Sequence, residues 1–80
     1  MNKQQLIEKL TGLKINPADY SLDGPFIEGV MLERTVNYYS DNKQYDEWRV
    51  FEHERGNRYT EKIFYSEEGA YNDVYERFKK

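Results

Sequence analysis

The single histidine of the chain, His53, stands between Glu52 and Glu54, with Arg49, Arg55 and Arg58 close by in sequence. An imidazole, carboxylates and guanidinium groups are the parts of simple ribonuclease chemistry: a base, an acid and a clamp for phosphate. A small nuclease-like enzyme centred on His53 is therefore one reading. Its weakness is local geometry. If Phe51–Glu54 is extended, successive side chains point to opposite faces, so Glu52 and Glu54 leave the face that carries His53 and the sequence neighbours share no site. A solvated histidine on a mixed-charge sheet face accounts for the same residues, and no catalytic residue is assigned.

Other chemistries find fewer parts. One histidine and no cysteine leave only carboxylates as metal ligands, and Asp41–Glu47 lacks the glycine and the twelve-residue spacing of a calcium loop, so no metal ligand is assigned. The glycines form neither of the phosphate-cradling patterns that hold nucleotides, and no cofactor is expected. Ser21, Ser40 and Ser66 lie in turn or cap contexts without a histidine at plausible reach.

The elements that would hold these residues can be read from periodicity. Leu6, Ile7, Leu10 and Leu13 make the apolar stripe of a helix from Asn2 to about Leu13, with Gly12 and Asn16-Pro17 where it should stop. The stretch Ile15–Phe26 carries two prolines, a glycine and two aspartates, and reads as an ordered connector. From Val30 the period becomes two, with Val30, Leu32, Val36 and Tyr38 on one face and Glu33, Thr35 and Asn37 on the other. Ser40–Gln44 is a turn cluster. A second strand from about Tyr45 carries Trp48 and Val50, and a third runs from Tyr59 to Tyr65. Ser66 with Glu67 and Glu68 caps a second helix whose stripe is Ala70, Tyr71, Val74, Tyr75 and Phe78. Gly69 weakens that helix by about 1 kcal/mol relative to alanine.

The expected fold is α+β: a single domain over residues 1–80, with a three-stranded antiparallel β-meander and the N- and C-terminal helices packed on one face. With Gly56-Asn57 as the hairpin turn, Trp48, Val50, Ile63 and Tyr65 share the core face. Arg49, Phe51, His53, Thr60, Lys62 and Phe64 then share the outer one. That register sets Glu52 against Glu61, a mildly unfavourable pair, so the alternative is a longer loop.

Composition narrows function. Hydrophobic residues are 38% and charged residues 34%, a ratio that would suggest disorder if the chain were not 16% aromatic. Absence of cysteine is compatible with a reducing compartment, and the cytoplasm is the expected location. No apolar run suits a signal peptide or reaches the roughly 18 residues of a membrane span. A net charge of −3 argues against nucleic acid, whose binding needs lysine and arginine on phosphates, and favours an electropositive partner. Eight tyrosines cannot all point inward in so small a domain, and tyrosine beside carboxylate is the composition of a protein interface.

Two stretches also resemble a known group. Asn16-Pro-Ala-Asp-Tyr-Ser-Leu-Asp-Gly24, then Glu47–Phe78 with its Trp-centred strand, Glu-Arg-Gly hairpin and Ser-Glu-Glu helix start, are similar to small immunity proteins encoded beside bacterial polymorphic and contact-dependent toxins. The resemblance implies a cytoplasmic protein that binds and blocks one cognate toxin, often a nuclease, without enzymatic activity of its own. It carries no contact residue across, because such residues diverge with the toxin. From surface character, the expected partner-binding residues are Glu52, Glu54, Arg55, Tyr59 and Glu61 on the hairpin and outer sheet face, with Asp46 and Glu47 at the neighbouring edge. The alternatives are the His53 enzyme and a regulatory adaptor, and helix two could equally serve a homodimer.

Overall fold

The computed structural model describes residues 1–79, in the order α1 (Lys3–Gly12), β1 (Tyr20–Leu22), β2 (Gly29–Tyr38), β3 (Gln44–Glu54), β4 (Asn57–Phe64) and α2 (Glu67–Lys79). The fold is α+β as expected, but the sheet has four strands, in the order β1-β2-β3-β4, and is mixed. β1 runs parallel to β2, pairing Tyr20 with Val30 and Leu22 with Leu32, while the other two pairings are antiparallel. The three-stranded antiparallel description is corrected by this short strand. It hides inside the connector, where three residues between a Pro17–Asp19 helical turn and Asp23-Gly24-Pro25 are too few to display alternation.

Local sequence explains the helix ends. Asn2 Oδ1 accepts from the Gln5 amide at 2.8 Å and Gln5 Oε1 accepts from the Asn2 amide at 2.9 Å, a capping box. At the other end Lys14 takes a left-handed conformation (φ 63°) and the Ile15 amide reaches the Leu10 carbonyl at 3.0 Å, closing α1. Ser66 Oγ accepts from the Gly69 amide at 3.1 Å to begin α2. Gly69 also has a packing reason: a Cβ there would lie 3.0 Å from Ser66 Oγ and 3.3 Å from the Phe64 ring.

Both helices cover one face of the sheet. Leu6 and Leu10 of α1, Ala70, Tyr71 and Val74 of α2, and Val30, Leu32, Trp48 and Val50 of the strands form the core. Met31 and Phe51, fully buried but outside that cluster, lie on the second face. That face is therefore partly closed as well. The Arg58 guanidinium sits 4.3 Å from the Phe51 ring centre, and the Asp23–Glu28 loop brings Phe26 to 5.4 Å from the His53 ring.

The β3–β4 hairpin departs from the expected register. Glu54 pairs with Asn57, so the turn residues are Arg55 and Gly56 rather than Gly56 and Asn57. Both have positive φ, 51° and 79°, which is the two-residue turn matching the twist of a hairpin. Glu52 faces Tyr59 and not Glu61, and a bulge then shifts the register by one. Thr60, at φ 52°, is left out of the pairing. Arg77 of α2 holds it: Nη1 donates to Thr60 Oγ1 at 2.7 Å, Nη2 to the Thr60 carbonyl at 2.6 Å, and Nε to Asp73 at 2.8 Å.

Beyond the bulge Val50 faces Lys62, Arg49 faces Ile63 and Trp48 faces Phe64. The expected core residues Ile63 and Tyr65 accordingly stand on the outer face, 45% and 69% exposed. Phe64 packs against the core instead, and Thr60 and Lys62 also belong to the helix side. Arg49, Phe51 and His53 take the outer face as expected. Val36 and Tyr38, placed on the core face by alternation, have the correct phase but reach past the helices and are 48% and 61% exposed.

Candidate protein-binding surface

His53 is held as a structural residue. Its Nδ1 lies 2.8 Å from the Ile27 carbonyl, which can only accept, so the ring carries its proton there and anchors the Asp23–Glu28 loop beneath Phe26. The neighbouring arginines are engaged too. Arg49 Nε donates to Glu47 at 2.8 Å, and that contact raises the guanidinium above its ordinary pKa. Arg58 donates to Glu33 at 3.1 Å and Glu61 at 3.2 Å. Strand phase turns Glu52 and Glu54 toward the helix side and the His53 ring toward the other, although all three residues border the groove at the β3–β4 turn end. Among the described residues no cluster of three histidine or acidic side chains has the arrangement to hold a metal ion.

The four residues at the β3–β4 turn end come together. An open groove of about 670 Å³ is lined by Asp19, Glu28, Glu52, His53, Glu54 and Tyr59, with Gly29, Val30 and Phe78 as apolar wall. Arg55 stands beside it, its backbone amide donating to Glu28 Oε1 at 3.4 Å. None of the four carboxylates is ion-paired among the described residues. Among the described residues the sole polar neighbour of Glu52 is Thr60 Oγ1 at 3.3 Å, whose proton has a shorter acceptor in the Tyr59 carbonyl at 2.7 Å. Of the seven carboxylates without an ion pair among the described residues, four line this groove, so unpaired negative charge gathers here, with Arg55 the one cation beside it.

The other three expected contact residues lie elsewhere and are internally matched. Glu61 is on the outer face with Arg58, and Glu47, 8% exposed in its side chain, is bound to Arg49. Asp46, toward the far end of β3, is paired with Arg34 at 2.9 Å. Sequence reasoning missed Asp19 and Glu28. They reach the groove through the parallel pairing that begins at Tyr20 and Val30 and brings the Asp19 carbonyl against Gly29, where a Cβ would collide with it. Gly29, at φ 146°, was the available signal.

A second exposed region lies at the opposite end of the sheet. The Tyr39 and Tyr45 rings meet tilted at 4.5 Å between centroids, and Tyr45 and Tyr65 tilted at 6.2 Å. Tyr39 and Tyr65 are 56% and 69% exposed. By contrast the stripe of α2 is used by the core, with Ala70, Tyr71 and Val74 buried. No helix among the described residues is long and apolar enough to cross a membrane.

No protein-family model matches the chain, and no curated protein or solved structure matches it significantly.

Proposed function

We propose that the protein is a non-catalytic binding protein of the immunity type, which neutralises a cognate bacterial toxin domain by direct contact in the cytoplasm. The observation that carries this reading is the groove of four unpaired carboxylates beside the half-exposed Tyr59 ring. Carboxylates that have a protein partner contribute to the fold, whereas these are left to attract a cation from outside. A nuclease must bear a basic face to hold its substrate, and such a face is complementary to this groove. Tyr59 then supplies a rigid anchor while the carboxylates speed encounter and set orientation.

Co-expression with a toxic domain encoded beside the gene tests the reading. Growth should be rescued and a stable pair should co-purify. Glu52→Lys with Glu54→Lys should reduce the association rate at low salt by at least tenfold, with a smaller effect at high salt, since steering by charge is screened. Toxicity unrelieved by the wild-type chain, or RNA cleavage by the purified chain that disappears in His53→Ala, would replace this reading with another.

A further inference from the structure

One edge of the sheet is left open. Among the described residues β1 pairs only with Val30, Met31 and Leu32, and from Glu33 to Tyr38 the outer edge of β2 has no neighbouring strand. The phase of its backbone is fixed by two hydrogen bonds. The Asp23 amide donates to the Leu32 carbonyl at 2.7 Å, and the Arg34 amide donates to Asp23 Oδ1 at 3.3 Å. Even-numbered residues of β2 thus direct their N–H and C=O groups away from β3, and Val36 and Tyr38 continue that phase onto the open edge. Their side chains are exposed as well, 48% and 61%.

The opposite edge is guarded. β4 carries the Thr60 bulge, the Thr60 carbonyl is capped by Arg77, and Lys62 is exposed beyond it. A bulge and a lysine are devices that prevent strand addition, and the β2 edge has neither. What it has instead is a sequence that complements itself. In an antiparallel register centred on Val36, Val36 meets Val36 of a second copy, Arg34 meets Tyr38, and Thr35 meets Asn37. These pairs are apolar on apolar, a cation on an aromatic ring, and hydroxyl on amide, with no like charges opposed. Length fits too. β2 of the second copy ends at Tyr38, opposite Arg34, just short of the Asp23 cap.

We propose that two copies of the chain associate through this edge, β2 against β2 about Val36, joining their sheets into one. Two backbone hydrogen bonds form between the Val36 residues, and two more between each Arg34 carbonyl and the Tyr38 amide of the other copy. The contact is small and each copy carries −3, so the dimer is weak and is strengthened by salt, which screens the repulsion.

Sedimentation equilibrium of the full chain from micromolar to millimolar concentration tests this. The mass should rise from 9.7 kDa toward twice that value, and further at higher salt. Val36→Lys and Val36→Asp, at an exposed position where folding is verified by circular dichroism, should each remain monomeric, and an equimolar mixture of the two should recover the dimer. A wild-type chain that stays monomeric, a dimer that persists in Val36→Lys, or a mixture that fails to associate would each overturn the proposal. So would a monomer that binds a toxin domain in a Val36-dependent way, since that would give the edge to a strand from another protein. The sedimentation outcomes are read on the chain alone and do not depend on whether the acidic groove binds a toxin.

Discussion

Burial changes the chemistry of the Tyr71 phenol. Only 7% exposed, and next to the Glu67 carboxylate one turn earlier, its phenol is pushed up to about 12 by burial first and by that carboxylate second. The folded pKa lies above the ordinary value near 10. The neutral phenol is therefore favoured by folding, and its contribution is complete below about pH 10 and lost as the pH rises toward 12. Thermal melts between pH 9 and pH 12 should show that loss, and Tyr71→Phe should flatten it over the same window. Arg77 is the second residue with a measurable role. Its side chain is 10% exposed, and Arg77→Met leaves Asp73, 13% exposed, with only Lys62 at 3.6 Å. A loss of about 3 kcal/mol in urea unfolding is expected, the scale of breaking one partner out of a buried pair. At this scale the sequence was partly legible. Capping by Ser66 and the buried stripe of α2 were visible, whereas the structural duty of His53 was not, because the Ile27 carbonyl it binds is 26 residues away.

Among the elements, helices and the long β2–β3 hairpin follow from periodicity because each presents one apolar face over many residues. β1 does not, since it spans three residues and its pairing is parallel. The β4 bulge is equally hidden. Thr60 is unpaired because Arg77, seventeen positions later, bonds to both its carbonyl and its hydroxyl. One extra residue on one strand turns every later side chain to the other face. That is why Ile63 and Tyr65 are displayed outward and Phe64 is not. The hairpin turn gives a prediction of its own. Arg55 occupies a left-handed position ahead of Gly56, where asparagine is the favoured residue. Arg55→Asn should stabilise the protein by about 0.5–1 kcal/mol, raising the melting temperature by a few degrees. Gly69→Ala tests the packing at the start of α2. It should fail to deliver the ~1 kcal/mol that helix propensity offers, because its methyl group meets Ser66 Oγ and the Phe64 ring.

Taken whole, the molecule is elongated, 45 Å in its longest dimension, with different chemistry at its two ends. Unpaired carboxylates collect at the β3–β4 turn, and exposed tyrosines and the open β2 edge collect at the β2–β3 turn. The sequence revealed that acids and phenols were in excess, but not that they separate. Separation depends on which acids find arginines, and that depends on the sheet register. Glu33, Asp46, Glu47 and Glu61 are neutralised, while Asp19, Glu28, Glu52 and Glu54 are not. Whether the groove steers a basic partner is read by stopped-flow association between the wild-type chain and the co-purifying toxin domain, beside the Glu52→Lys, Glu54→Lys variant and an Asp46→Asn control. The groove variant should associate at least tenfold more slowly at low salt, and the control should match wild type. Equal rates for wild type and groove variant at every salt concentration would remove the groove from the binding surface.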